Sequence, residues 1–239
     1  MQTRPLRLMG RSNRAGEILI RLRAGLKLPL NESNPYLREA CDMRDLILTA
    51  PELEKGFPGM FADPQRAVWA DVGCYFGETL ADMAVNVPDV NFLGVDIRYK
   101  RVVKSGRRLE RMGITNARIV LCDAGMFLNT LPAGSLAGIS VFFPDPWPRE
   151  KHRKHRFLNR EFLHLAASRC RPGALLWFKT DQEEYFNDVM ALAPECGFHA
   201  DRVPPEILGG RDYDSVFQRL FKRSPEGVFQ AVLSLKSKV

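Results

Sequence analysis

"AVWADVGCYFGET", residues 67–79, is an apolar run that ends on an acid, turns through Gly73 and Gly77, and resumes as an amphipathic pattern at Glu78. A buried strand that enters a helix through a glycine turn is the first half of a βαβ unit. The same alternation continues downstream with "NFLGVD" (91–96), "ARIVLC" (117–122), "GISVFF" (138–143) and "ALLWFK" (174–179). Between these runs, apolar residues recur every three or four positions over 78–86, 100–112, 160–169 and 183–192, which predicts helices there. Near the C-terminus, "VFQRLFKR" (216–223) and "VFQAVLSLK" (228–236) flank the turn signal "SPEG", so the chain is expected to close with an antiparallel hairpin whose aromatic residues enter the core. The predicted fold class is α/β: a doubly wound, mainly parallel sheet of five strands closed by that hairpin, with a ligand crevice at the strands' carboxyl ends.

Upstream, residues 1–60 read as an Arg-rich extension without strands, punctuated by Pro29, Pro35, Pro51 and Pro58, and residues 61–239 as the main domain. A chain of 239 residues with 45% hydrophobic content can bury a substantial core. No run approaches the ~20 apolar residues of a membrane span, and the N-terminus lacks the apolar segment of a secretory signal, so a cytoplasmic protein without membrane attachment is expected. The five cysteines are scattered without a Cys-x-x-Cys pair and read as reduced structural thiols. The formal net charge is +7, with basic residues concentrated in the first 27 residues and between Arg149 and Arg156. Clustered positive charge creates a local field suited to an anionic partner, above all a nucleic acid.

One acid stands at the end of each of the first three strands: Asp71, Asp96 and Asp123. Each alone also reads as a helix cap or a solvated strand end. Gly73 and Gly77 let the backbone approach a ligand closely, and a carboxylate after the second strand suits the hydroxyls of a ribose. Asp123 is then placed for an adenine amino group. A dinucleotide site requires Gly-x-Gly-x-x-Gly, but Tyr75 holds the second glycine position and no third glycine follows. The pattern therefore suits an adenosine without phosphates, and S-adenosyl-L-methionine is the expected cofactor.

The segment "FFPDPWPREKHRKHRF" (142–157) ends a strand, presents Asp145 between two prolines, and becomes strongly basic. With "LWFKTD" (176–181), "GVDIR" (94–98) and the pair Asp123, Ala124, it resembles the bacterial tRNA (guanine-N7)-methyltransferases over roughly residues 67–192. The resemblance implies a class I, Rossmann-like methyltransferase that uses S-adenosylmethionine and acts on tRNA. It carries Asp71, Gly73, Gly77, Asp96, Ile97, Asp123, Ala124 and Asp145 to the cofactor, and Asp145 and Asp181 to catalysis. It places Trp147, Arg149, Lys151, His152, Arg153, Lys154, Arg156, Asp181, Ser215 and Gln218 on the substrate side. Guanine N7 has a free lone pair, so its alkylation requires in-line placement and no deprotonation. The product ring is cationic, and carboxylates at 145 and 181 would stabilise the developing charge while orienting the base. The basic loop would bind phosphates.

Two positions depart from the family pattern: Tyr75 replaces a glycine, and Ser215-Val216-Phe217-Gln218 stands where the family has Thr-x-x-Glu. They leave open an N-methyltransferase of a small nitrogen heterocycle, or an RNA-binding protein that has lost methyl transfer. Trp147 reads equally as a base-stacking residue or a packing lid. His152 and His155 have metal-pair spacing, but no acid or thiol completes a site, so no metal is expected.

Overall fold

The computed structural model describes residues 14–25, 34–201, 203–221 and 227–236. Six parallel strands form the body of the sheet: β1 (Ile47–Leu48), β2 (Ala67–Val72), β3 (Val90–Asp96), β4 (Ala117–Leu121), β5 (Leu136–Phe142) and β6 (Cys170–Thr180). With β7 (Phe198–Asp201) and β8 (Phe229–Leu235), the order is β1-β4-β3-β2-β5-β6-β8-β7. From β2 the chain winds outward through β3 and β4 in one direction, and later through β5 and β6 in the other. That reversal is the switch point of a doubly wound sheet, as expected. At its centre β2 and β5 approach closely, because Trp69 pairs with Gly138 and a Cβ there would stand 2.2 Å from the indole.

Every residue of β3 and β5 is buried, because helices cover both faces. Helices α1 (Arg14–Arg23), α2 (Pro35–Asp42), α3 (Glu78–Asn86) and α4 (Tyr99–Arg111) pack on one face through Leu19, Leu37, Leu80, Met83, Val103 and Leu109. Helices α5 (Ala124–Thr130), α6 (Arg160–Arg169) and α7 (Glu183–Leu192) cover the other through Phe127, Leu128, Phe162, Leu163, Tyr185 and Val189. The four helices read from periodicity are present within one residue of their expected bounds. All five cysteines are free thiols, and four are buried. Among the described residues, no helix is long and apolar enough to cross a membrane.

Two expectations are corrected. The sheet does close with an antiparallel pair, but β8 pairs with β6 and β7, and Val216–Phe221 is a short helix, α8. The cause is local: the Ser215 hydroxyl accepts the Gln218 N–H at 3.0 Å, which caps the helix N-terminus. Residues 224–226 of the expected turn lie outside the described residues. The second correction concerns the N-terminal region, which contributes β1 at the sheet edge. There the Ile119 N–H donates to the Leu46 carbonyl at 2.8 Å, so the outer side of β4 is paired. Arg23 ties this region together: it pairs with Glu52 and donates to the Ala40 and Ile47 carbonyls. The arginines at 4, 7 and 11 and Lys27 lie outside the described residues.

Candidate active site

At the carboxyl ends of β2 and β5 a crevice is lined by Asp71, Tyr75, Phe76, Phe142, Ser215 and Phe217, among others. Its floor is the end of β2. Asp71 is buried and accepts a hydrogen bond from the Ser140 hydroxyl at 2.8 Å, and Ser140 in turn accepts the Trp69 indole N–H at 3.3 Å. Desolvation pushes the Asp71 carboxyl up to about 6, with the Ser140 hydrogen bond opposing the shift. No cation pairs with it among the described residues, so a cationic ligand group would find a partly desolvated acid waiting.

The turn after β2 is tighter than expected from its glycines. Gly73 and Cys74 both donate to the Val95 carbonyl, at 2.8 and 3.1 Å, and Gly77 donates to Cys74 at 2.9 Å. These N–H groups are therefore engaged within the protein, while Gly73 itself lines the crevice. Gly77 needs its glycine twice, for a φ of 68° and because a Cβ would lie 2.8 Å from the Cβ of Ser105. Tyr75 adopts a φ of 54° without being glycine. Its carbonyl accepts from Ser105 at 3.2 Å, the Arg101 guanidinium lies 4.6 Å from its ring centroid, and Phe217 packs against it at 5.3 Å. The residue thus lines the crevice as an aromatic wall.

Asp96, the last residue of β3, is buried. It accepts the Arg98 N–H at 2.9 Å and an Arg101 N–H at 3.2 Å. Burial raises its pKa and Arg101 counters that shift. Each carboxylate oxygen keeps a lone pair for a further donor. Ile97 follows half-buried. Asp123 caps α5, its Oδ1 accepting from Met126 N at 2.9 Å, and Ala124 is the first residue of that helix.

On the other side, Asp145 is exposed three residues beyond β5, and Asp181 is half-buried immediately beyond β6. These strands are neighbours in register, Phe142 opposite Lys179. Asp181 accepts from the Gln182 side chain at 2.8 Å. Trp147 packs against the rings of His152 and His155, at 5.8 and 5.4 Å, and its buried indole N–H has no acceptor among the described residues. Arg149, Lys151, Lys154 and His155 are exposed, whereas Arg153 pairs with Glu184. Arg156 is corrected: it is 4% exposed, pairs with Glu184 and Asp188 of α7, and donates to the Pro146 carbonyl at 3.0 Å. Its guanidinium holds the loop to the domain and is not free for a phosphate. Among the described residues no group of three or more His, Cys, Asp or Glu is arranged to hold a metal ion.

Ser215 lines the crevice, but Gln218 does not. Gln218 accepts from the Lys179 ammonium at 2.9 Å and donates to Asp212 at 3.2 Å, while Asp212 forms the ion pair with that lysine. Lys179 is 0% exposed, with the Phe142 and Trp177 rings beneath it. Asp212 thus supplies negative charge to the buried ammonium, and the Gln218 amide and the Tyr213 carbonyl add neutral acceptors. Lys179, Asp212, Phe142 and Phe217 were missed as site residues. Their contacts span distant parts of the chain, and only the Ser-x-x-Gln spacing of a helix start gave a local signal.

A family model described as "Putative methyltransferase" matches residues 65–201, more than half of the chain. The chain is 36% identical over 137 residues to the tRNA (guanine-N(7)-)-methyltransferase of Geobacter metallireducens, covering 57% of this chain and 65% of that protein. With the protein of the same name from Streptomyces coelicolor it is 40% identical over 134 residues, covering 54% and 49%. The chain thus spans less than two thirds of the length of these relatives. Among solved structures, the aminoglycoside resistance methyltransferase NpmB1 superposes with a TM-score of 0.53 at 19% identity, covering 79% of this chain and 94% of that one, a likeness of fold alone. The matched segment begins just before β2 and includes the turn, the strand-end acids and the Pro-Asp-Pro-Trp loop, and on it the chain belongs to the methyltransferase family.

Proposed function

We propose that the protein transfers a methyl group from S-adenosyl-L-methionine to N7 of a guanine in tRNA, acting in the cytoplasm. The observation that carries this reading is the row of carboxylates at the sheet's upper edge. Five consecutive parallel strands, β4-β3-β2-β5-β6, carry Asp123, Asp96, Asp71, Asp145 and Asp181 at or just beyond their carboxyl ends, in that order across the sheet. The relatives' names support the same reading for the acceptor.

The residues present fit the cofactor. Asp96 keeps lone pairs that would take ribose hydroxyls, Ile97 and Ala124 offer half-buried apolar surface that would suit an adenine, and Asp123 keeps one oxygen after capping α5. Asp71, buried without a cation among the described residues, suits the positively charged methionine end. When bound, this cofactor supplies an electrophilic methyl on a sulfonium.

The chain's own residues do the rest. Asp145 and Asp181 accept hydrogen bonds from the guanine N–H groups, which orients N7 toward the crevice. They also stabilise the positive charge that grows on the ring as N7 is alkylated. No general base is needed, because N7 carries no proton. Arg149, Lys151, His152 and Lys154 grip the phosphates, and Trp147 braces the loop that carries them.

The test is to incubate the protein with methyl-labelled cofactor and unmodified tRNA, digest the RNA and identify the labelled nucleoside. Label in 7-methylguanosine is the expected result. Cofactor binding with unlabelled tRNA would move the acceptor to a small heterocycle. Binding of tRNA without cofactor affinity would leave an RNA-binding protein.

A further inference from the structure

Helix α4 is the most basic element of the described chain. Its sequence, "YKRVVKSGRRLER", carries six Lys or Arg and one Glu within 13 residues. Val102, Val103, Ser105, Gly106 and Leu109 are buried in the core, so the charge is confined to the outer side. Lys100, Lys104, Arg107 and Arg111 are all exposed, and their spacing of four, three and four residues aligns them in one stripe. At a 1.5 Å rise per residue the stripe is about 16 Å long. Arg107 is matched by Glu39, and the inner Arg101 and Arg108 by Asp96 and Glu78. Lys100, Lys104 and Arg111 have no acidic partner among the described residues.

The stripe starts at the mouth of the crevice. The Lys104 ammonium lies 4.9 Å from the Phe76 ring centroid and Arg101 lies on Tyr75, and both rings line the crevice. The loop Arg149–His155 follows β5, whose last residue Phe142 lines the crevice, and Arg153 ties it to α7 on the opposite face of the sheet. Basic surfaces thus stand on both sides of the opening.

We propose that the exposed face of α4 is a second contact for the RNA backbone, so that the substrate is held across the crevice between α4 and the loop of residues 149–155. The proposal rests on the tRNA reading and adds the surface that meets the nucleic acid on the cofactor side. A stripe of cations, with Met112 at the helix end as the one large exposed apolar side chain beside it among the described residues of α4 and its cap, suits phosphates. It does not suit a lipid surface, because the apolar face a membrane-bound helix inserts is here buried in the core.

The experiment measures tRNA affinity of the full chain against salt concentration. It compares the wild type, the triple variant Lys100→Gln, Lys104→Gln, Arg111→Gln, and Arg171→Gln, an exposed arginine at the opposite, amino-terminal end of β6. Each lost phosphate contact lowers the slope of log affinity against log salt by about 0.7–0.9, so the triple variant is expected to lose about 2–3 in slope while Arg171→Gln changes little. Cofactor affinity, read by calorimetry, should stay within about twofold in the triple variant because all three side chains are exposed. An unchanged slope, or one that falls equally per charge at Arg171, overturns the proposal. A wild type that binds no tRNA overturns the tRNA reading itself.

Discussion

The two halves of the crevice rim are built on opposite plans. On the side of β2, β3 and β4, Asp71 and Asp96 are buried and each already accepts hydrogen bonds from the protein, while the intervening turn ties its N–H groups to Val95. On the side of β5 and β6, Asp145 is exposed and the loop beyond it is anchored to α7 by the ion pairs of Arg153 and Arg156, while Trp147 packs within the loop against His155. A small ligand of fixed shape is served by a site whose groups are locked before it arrives. A polymer whose backbone differs from one molecule to the next is better met by exposed cations on a tethered loop. The contrast implies that substitutions of the buried acids on the first side act on stability and cofactor affinity, and of the exposed groups on the second side on turnover and salt dependence.

The largest effect that would break this contrast is at Asp145. Asp145→Ala should lower methyl transfer by about 10²–10³-fold while tRNA affinity changes less than about threefold, since the lost interaction is strongest in the transition state. Equal losses in single-turnover rate and affinity would make Asp145 a binding residue.

Next comes Asp71. Its folded pKa, about 6, lies above the ordinary 3.8, so the fold favours the neutral acid. That stabilisation is complete below about pH 4 and lost as pH rises through about 6. Asp71→Asn should therefore stabilise the ligand-free protein at pH 7 by up to about 3 kcal/mol, a gain that vanishes below about pH 4 in denaturant titrations. The same variant should weaken binding of the cationic cofactor, and wild-type affinity should rise as pH increases through about 6. An affinity that is flat across that range would remove Asp71 from the methionine end.

Within the basic loop, Arg156→Ala and Lys151→Ala separate structure from function. The first should cost about 2 kcal/mol in stability, because it strips a buried guanidinium from two half-exposed acids. The second should leave stability unchanged and reduce the salt slope of tRNA binding by about 0.7–0.9. Thermal unfolding and binding isotherms on both variants would reverse the assignment if the effects were exchanged. The smallest effect is at Tyr75. Replacing it by glycine relieves a left-handed conformation worth about 1 kcal/mol but removes its contacts with Arg101 and Phe217, so stability should change little while cofactor affinity falls. A tighter-binding Tyr75→Gly protein would show that the ring obstructs the site.

The strand-end acids were legible because a parallel strand buried on both faces is a continuous apolar run, and its first acid marks where the run leaves the core. The four long helices were legible for the related reason that their buried positions recur with helical period. Val216–Phe221 was not, since six residues rich in Val and Phe satisfy strand preferences equally well and only the capping of Ser215 decides. Ile47–Leu48 is a strand because β4 has an open side, a fact of tertiary arrangement. Among the basic residues of the loop, nothing local distinguishes Arg156 from Lys154. The difference is made by Glu184 and Asp188, about 30 residues away, which lie where the Arg156 side chain turns inward. The resemblance to a known family supplied the acceptor and the roles of Asp145 and Asp181, which no periodicity contains.

The chain of contacts from the Trp69 indole through the Ser140 hydroxyl to Asp71 has an optical meaning. Trp69 is fully buried, and its N–H donates to the hydroxyl that bonds Asp71, whose carboxyl burial pushes up to about 6. Ionisation of that carboxyl, or its neutralisation by a bound cation, changes the field along the indole, and so its emission. The floor of the crevice therefore holds an indole whose emission is expected to shift on occupancy, over the background of Trp147 and Trp177.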